Sequence, residues 1–248
     1  MASVTEVGSD IYRINVEIPG KPVTFSLFLI KDEQPALIET SYRRVFDEVI
    51  EAVATVIDPS TLRHVVIPHF EGDECGGLNL FLEAAPYAAP VCSPIGANTS
   101  IPDFSIREPV RVDEETVLDL GQHKLRFLVT PYVHAWDSLL AYDQVTGTLF
   151  SSDLFLQPGT GPALTDRDIS EEMVAYTRSL GLFPSHAHLV AALDKIEALH
   201  PVTLACHHGT VKAGQIPAYL RAFRENNVTG LPPADPVHSS IAMPPPTG

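Results

Sequence analysis

The sequence predicts a single α/β domain in which β-sheets form the interior and helices cover them. Strand-like runs such as VTFSLFLI are separated along the chain by runs that carry apolar residues at helical spacing. The run LRHVVIP is too apolar for an exposed sheet face, so we expect its sheet to be covered on both faces. The 248 residues show no internal repeat and no interdomain linker, which favours one domain over two.

The N-terminal half begins with two predicted strands, IYRINVEI and VTFSLFLI, joined by a Gly-Lys-Pro turn. A short strand, PALIET, precedes a helix predicted over residues 43–57, for which Ser41 is a candidate cap and DPS is the stop signal. The strand LRHVVIP comes next. A helix in GGLNLFLEA, predicted to begin near Asp73, and the strand APVCSP complete this half.

The C-terminal half adds the strand KLRFLVTP, which Pro131 ends, and a hairpin formed by SLLAYD and TLFSSD. Helices are predicted in ISEEMVAYTRSL, AHLVAALDKIEALH and IPAYLRAFRENN, with the apolar strand VTLACHHG before the last of them. These elements assign one domain to residues 1–229. Residues 230–248 are proline-rich, and we expect them to form a tail without regular secondary structure.

Charge and composition limit the classes of partner. Acidic residues outnumber basic residues 31 to 16, and the net charge of −15 argues against nucleic acid or an anionic membrane as the main partner. The three cysteines do not suggest a disulfide framework. No apolar run reaches the roughly 20 residues that a membrane-spanning helix needs, and the first residues lack the pattern of a signal peptide. We therefore expect a cytoplasmic protein.

Side chains that commonly bind metals follow four of the predicted strands. They are His69, Glu71 and Asp73 after LRHVVIP, His134 after KLRFLVTP, Asp153 after TLFSS, and His207 and His208 after VTLAC. Sites in open α/β sheets form in the loops beyond the strand ends. Four such placements in one chain favour a shared metal centre over a solvated acidic loop.

The residue types indicate which metals would bind. Imidazole and carboxylate ligands suit iron, manganese or zinc. A carboxylate such as that of Asp153 can bridge two ions, which stand about 3.5–4 Å apart in two-metal sites. Burial of several acids without a cation would be very costly, because each unpaired charge loses its hydration. The sequence therefore favours a site for two dications.

The order of these residues resembles the metallo-β-lactamase fold, a four-layer αββα sandwich. The resemblance rests on H-x-E-x-D, the later histidine and aspartate, the His-Gly pair, and the stretch HAWDSLLAYDQVTGTLFSSDLF, and it covers roughly residues 8 to 212. Most hydrolases of this fold carry H-x-H-x-D-H, whereas this chain has Glu71 in place of the second histidine. That exchange resembles the di-iron branch, which comprises the flavodiiron proteins and the related stand-alone oxygen-binding di-iron proteins.

The resemblance implies a ligand for each of the matching positions. One iron would be held by His69, Glu71 and His134, the other by Asp73 and His208, and Asp153 would bridge them. His208 is preferred over His207 because Gly209 follows it directly; His207 would lie behind the ligands. Glu74 stands where flavodiiron proteins have a histidine, and it either binds the second iron or leaves a coordination position open. Asp137 is expected to hold the second ring nitrogen of a ligand histidine.

The function implied by the resemblance is reversible binding of O₂, or reduction of O₂, NO or peroxide with an external electron donor. No glycine-rich phosphate loop is present, so FMN is not expected on this chain. The oligomeric state is left open between a monomer and a homodimer. A second hypothesis is a hydrolase of esters, lactones or phosphodiesters that uses two zinc ions or mixed metals and a metal-bridging hydroxide. A third is a sensor or adaptor that contacts a partner through the proline-rich tail.

Overall fold

The computed structural model describes residues 2–230, which fold around two sheets of seven strands each. The first sheet contains, in spatial order, β1 (Ser3–Gly8), β2 (Ile11–Glu17), β3 (Thr24–Ile30), β4 (Ala36–Ile38), β5 (His64–Val66), β6 (Ala89–Cys92) and β7 (Val110–Arg111). Its first four strands are antiparallel neighbours, and β4 to β7 run parallel. The sheet therefore changes at β4 from hairpin connections to crossover connections.

The second sheet holds the strands from the C-terminal half. In spatial order they are β12 (Leu164–Thr165), β14 (Val211–Ala213), β13 (Thr203–Cys206), β11 (Thr148–Ser152), β10 (Leu139–Asp143), β9 (Lys124–Val129) and β8 (Val117–Asp119). β11 and β13 run parallel, and β9 and β11 both run antiparallel to β10. The carboxyl ends of β9, β11 and β13 consequently lie at one edge of the sheet.

Helices connect the strands and lie outside the sheets. They are α1 (Phe46–Ala54), α2 (Gly72–Cys75), α3 (Leu78–Ala84), α4 (Pro94–Asn98), α5 (Ile101–Phe104), α6 (Ser170–Leu180), α7 (His186–Leu199) and α8 (Ile216–Glu225). Short 3-10 turns precede α1 and β5. Among residues 2–230, no helix is long and apolar enough to cross a membrane.

Side-chain alternation along the strands separates three apolar clusters and defines the layers. In β3, Leu27 and Leu29 pack with α1 and α3, whereas Phe28 points to the opposite face. Phe28 meets Phe150 of β11 at a ring-centroid distance of 5.5 Å, so the two sheets face each other across a shared core. The outer face of the second sheet packs against α6, α7 and α8. The result is the predicted α/β sandwich with helices outside both sheets.

Local predictions were wrong at two helices. The helix predicted over residues 43–57 starts as a 3-10 turn and is α-helical only from Phe46 to Ala54, and the buried Ser41 hydroxyl has no hydrogen-bond partner and caps nothing. The helix predicted near Asp73 is two short helices, separated at Gly76 and Gly77. A Cβ at Gly77 would lie 2.9 Å from the Thr40 carbonyl oxygen, so this close contact needs glycine. The predicted tail lies outside the described residues, apart from Gly230.

Candidate metal centre

The candidate metal centre lies where strand ends of both sheets meet. In the first sheet, Glu39 follows β4 directly, and His69 follows the parallel neighbour β5 after two residues. In the second sheet, Asp153 follows β11 and the His207–His208 pair follows β13. A backbone hydrogen bond joins the sheets here, from the Ser26 N–H in β3 to the His207 carbonyl at 2.7 Å, and within the second sheet the His207 N–H donates to the Ser152 carbonyl at 2.9 Å. Residues far apart in sequence are thereby fixed side by side.

The first group of possible metal ligands contains His69, Glu71, His134 and Asp153, whose ligand atoms all lie within 4.8 Å of one another. The Nε2 atom of His134 is 2.9 Å from Asp153 Oδ2 and 3.4 Å from Glu71 Oε2. The Nε2 atom of His69 is 3.3 Å from the same Glu71 oxygen and 3.6 Å from the same Asp153 oxygen. Two imidazole nitrogens and two carboxylate oxygens therefore face one point.

The second group contains Asp73, Glu74, His207 and His208, and its ligand atoms meet the same limit of 4.8 Å. All four residues are buried. The Nε2 atom of His208 is 3.6 Å from Asp73 Oδ2, and the Nε2 atom of His207 is 4.0 Å from Glu74 Oε1. A second set of two imidazoles and two carboxylates thus lies beside the first.

Two carboxylates connect the groups. Asp153 directs Oδ2 to His134 and His69, while its other oxygen, Oδ1, lies 3.2 Å from His208 Nε2. Glu74 also faces both groups, because its Oε2 lies 3.7 Å from His69 Nε2 and its Oε1 faces His207 Nε2. A carboxylate with one oxygen toward each of two groups can bridge two metal ions.

Proton affinities in the centre follow from burial and from the crowding of acids. Burial lowers the pKa of His134, but hydrogen bonds with Asp153 and Glu71 outweigh that effect and raise it to about 10. Burial raises the pKa of Asp153, but the His208 charge and hydrogen bonds with His134 outweigh it and hold the pKa well below its usual range. Hydrogen bonds with His134 and His69 likewise lower the pKa of Glu71. In the absence of a metal ion, a proton on His134 compensates the neighbouring carboxylates.

Glu74 differs from Asp153 and Glu71 because its pKa is raised and not lowered. Burial, and then the charges of Asp153 and Asp73, raise its pKa well above the ordinary value. Only 1 % of the residue is exposed, and neither of its oxygens has a hydrogen-bond partner. A buried carboxylate without a hydrogen bond is costly, and a dication between the two groups would remove that cost. The donor set therefore fits two metal ions.

The ring nitrogens that face away from the centre are held by groups of the protein. The Nδ1 atom of His208 is 2.9 Å from the Thr24 carbonyl oxygen, and that of His69 is 3.3 Å from the Ser152 hydroxyl. Such contacts fix which nitrogen of a ligand histidine is free to bind metal. The expectation that Asp137 does this was wrong, because its Oδ2 accepts from the Phe70 N–H at 3.0 Å instead.

Sequence reasoning did not identify Glu39 as part of the centre. This residue is buried, burial raises its pKa, and its Oε2 contacts Nδ1 of His207. Its backbone φ of 67° is uncommon for a non-glycine residue, as is the φ of 47° at Ser152. Such conformations concentrate at functional sites. The signal in the sequence was an acid directly after the apolar strand ALI, in the same arrangement as Asp153 after β11.

Solvent reaches the centre from the side of Glu71. Its side chain is 52 % exposed, whereas those of His69 and Asp153 are almost fully buried. An open cavity of about 520 Å³ adjoins Glu71 and is lined in part by Phe70, Cys75 and Phe104. Cys75 itself belongs to neither group, and burial raises the pKa of its thiol to about 12. A small molecule in this cavity can therefore contact Glu71 of the first group without rearrangement of the core.

Gly209 provides a test of how closely the backbone must hold His208. Its φ is +103°, and a Cβ there would lie 2.2 Å from Gln157 Cγ. We expect Gly209→Ala to displace the His208 ring and weaken metal binding by about 10-fold or more, as loss of orienting contacts does elsewhere. Gly214→Ala is the matched control, because Gly214 has φ +75° and no atom within 4 Å of a new Cβ. Equal metal affinity in the two variants, measured by titration with ferrous iron, would contradict this prediction.

Comparisons with known proteins agree with this geometry. The family model described as ODP family beta lactamase matches residues 23–209. The chain is 32% identical over 209 residues to "Putative diflavin flavoprotein A 1" of Nostoc sp. (strain PCC 7120), covering 81% of this chain and 36% of that protein. It is 28% identical over 213 residues to Flavo-diiron protein FprA2 of Clostridium acetobutylicum, covering 82% and 53%. The chain thus spans about a third to a half of these relatives.

Solved structures of flavodiiron proteins share the fold. Rubredoxin oxygen:oxidoreductase from Desulfovibrio gigas superposes with a TM-score of 0.81 at 20% identity, covering 90% of this chain and 61% of that one. The Flv1 flavodiiron core from Synechocystis sp. PCC6803 gives a TM-score of 0.80 at 24% identity, covering 90% and 60%. The predicted metallo-β-lactamase fold and the resemblance to its di-iron branch are confirmed, and the chain belongs to the ODP family of beta-lactamase-fold proteins.

Proposed function

We propose that the chain binds two iron ions at this centre and uses them to bind or reduce O₂. The observation that carries the proposal is the position of Asp153, whose two oxygens face two separate groups of histidines and acids. The homologues are flavodiiron proteins, which supports iron as the metal. Each group contains two imidazoles and two carboxylates, and combinations of histidine with carboxylate are typical ligands of non-haem iron.

The ligands that we propose follow the two groups. His69, Glu71 and His134 would hold the first ion, Asp73 and His208 the second, and Asp153 would bridge them. Glu74 is proposed as a further ligand, because both of its oxygens are buried without a hydrogen-bond partner and they face different groups. Of the two alternatives for Glu74, we therefore propose that it binds metal, and not that it points away and leaves a coordination position open.

The residues around the ions would have distinct tasks. The Thr24 carbonyl and the Ser152 hydroxyl keep the rings of His208 and His69 oriented. The buried strand ends exclude bulk water from the bridging side, whereas the exposed Glu71 leaves a path for a small molecule. Iron would supply the electrons and the open positions at which a diatomic molecule binds. Complete reduction of O₂ to water needs more electrons than two iron ions give, so turnover also requires an electron donor.

The test is the consumption of O₂ by anaerobically reduced, iron-loaded protein. We expect about one O₂ to disappear per two-metal site in a single mixing experiment, because each site either binds one O₂ or gives it two electrons, one from each ferrous ion. Continued consumption with an added electron donor would identify a reductase, and recovery of the gas under vacuum would identify a reversible carrier or sensor. The same experiments with NO or peroxide in place of O₂ would define the preferred ligand.

Zinc-loaded protein is the matched control, because zinc has no redox chemistry. It should consume no O₂. The proposal would be wrong if iron-loaded protein left O₂ untouched while zinc-loaded protein hydrolysed an ester, lactone or phosphodiester. That outcome would instead support a hydrolase with a metal-bound hydroxide as its nucleophile.

A further inference from the structure

His207 is the one histidine of the two groups for which the resemblance provides no ligand role. It is fully buried, and it directly precedes His208 at the end of β13. Neighbouring residues in a strand point to opposite faces. Here the strand has ended at Cys206, and the two rings lie side by side with their centroids 4.3 Å apart. Both imidazoles therefore reach the second group.

The contacts of the His207 ring divide its nitrogens into a held one and a free one. Nδ1 lies 2.8 Å from the Ser26 carbonyl oxygen and also contacts Glu39 Oε2. A carbonyl can only accept, so Nδ1 carries the hydrogen and Nε2 carries the lone pair of the neutral ring. Nε2 has no hydrogen-bond partner and faces Glu74 Oε1 at 4.0 Å.

The neighbouring histidine shows the same arrangement. His208 places Nδ1 at 2.9 Å from the Thr24 carbonyl and directs Nε2 to Asp153 and Asp73. The two carbonyls belong to residues two apart in β3 and so point to the same side of the strand, which holds both rings. Metal-binding histidines commonly give one N–H to a carbonyl or carboxylate and bind the ion with the other nitrogen. The free Nε2 of His207 faces the acids of the second group, as that of His208 does, so it is available to the same ion.

We propose that His207 binds the second metal ion through Nε2, and that Glu39 and the Ser26 carbonyl orient it. The inference rests on the proposed two-metal function. It gives the second ion two imidazoles, from His207 and His208, to match those of His69 and His134 at the first. It also explains the buried position of Glu39, whose Oε2 contacts Nδ1 of His207.

The test is an anaerobic calorimetric titration of metal-free protein with ferrous iron. For His207→Ala we expect the first ion to bind as in the wild type and the dissociation constant of the second to rise by about 100-fold or more, since losing a ligand exceeds the 10- to 100-fold loss typical of an outer contact. Glu39→Gln should raise it by about 10- to 100-fold, the range for such outer contacts. His64→Ala is the control: His64 lies at the start of β5, is half-buried and has no partner for either ring nitrogen.

Two ions bound by His207→Ala with wild-type affinity would overturn the inference. If His207→Ala does not fold, crystals of zinc-loaded wild-type protein decide the question. Nε2 at roughly 2.0–2.1 Å from the second ion supports ligation, and a distance beyond bonding range overturns it. Failure of the two-metal site gives a different result, because the wild type would then bind fewer than two ions. Failure of the oxygen chemistry alone would leave this titration unchanged and would appear only in the O₂ consumption experiment.

Discussion

Asp153→Ala should reduce the iron content of the protein from about two ions to fewer than one per chain, because a bridging carboxylate serves both ions at once. Its Oδ2 lies 2.9 Å from His134 Nε2, and its Oδ1 lies 3.2 Å from His208 Nε2. Alanine removes both oxygens and leaves the facing imidazoles without their shared acid. Elemental analysis of protein purified under identical conditions provides the measurement.

Two further variants make this prediction specific. Asp153→Asn keeps the shape of the side chain but replaces one carboxylate oxygen with an NH₂ group, which cannot bind a metal ion. We therefore expect this variant to retain at most one ion. Asp137→Ala removes an acid near the centre that contacts the Phe70 N–H and belongs to neither group, and it should retain both ions. Two ions in Asp153→Ala, or equal losses in the Asp137 and Asp153 variants, would contradict a bridging role.

Removal of the metal ions should produce the second large effect, a fall in thermal stability. A ligand present at 1,000 times its dissociation constant stabilises the folded state by about 4 kcal/mol. For a chain of this size, 1 kcal/mol corresponds to roughly 2–4 °C, so loss of one such ion should lower the melting temperature by about 8–16 °C. Scanning calorimetry before and after chelation, followed by restoration with ferrous iron, measures this difference.

The difference in melting temperature between metal-bound and metal-free protein should also shrink as the pH falls from about 8 to about 5, because protons compete with the metal for imidazole nitrogens. In the metal-free protein, burial and the neighbouring acids raise the pKa of Glu74. The folded state then takes up this proton at a higher pH than the unfolded state, so the metal-free protein gains stability as the pH falls through the raised pKa. A difference that grew on acidification would contradict this explanation.

The sequence was sufficient to predict the architecture because apolar periodicity is a local signal. The hairpin of β10 and β11 and the helices α6, α7 and α8 appear where alternation and helical spacing placed them. β1 was missed because its residues are only partly buried and it pairs with β2 alone. β7 and β12 were missed because they contain two residues each, too few to show a period.

In the metal centre, the sequence predicted only residues that come after the ends of recognisable strands. His69, Asp153 and His208 are brought together as expected, since the strand ends that carry them meet. Glu39 and the orientation of His207 depend on contacts between β3, β4 and β13, which no local pattern specifies. The prediction that Asp137 contacts a ligand histidine was wrong for the same reason. Its carboxylate accepts a hydrogen bond from the Phe70 backbone N–H, a contact that the sequence does not specify.

Anomalous X-ray diffraction from crystals of natively purified protein, recorded across the iron and zinc absorption edges, tests the central claim most directly. We predict two iron peaks about 3.5–4 Å apart, one on each side of Asp153, with no zinc signal at either position. Two zinc peaks at these positions would preserve the metal site and contradict the oxygen chemistry. Side chains of Asp153, Glu74 and His208 that meet only water would contradict the metal centre itself.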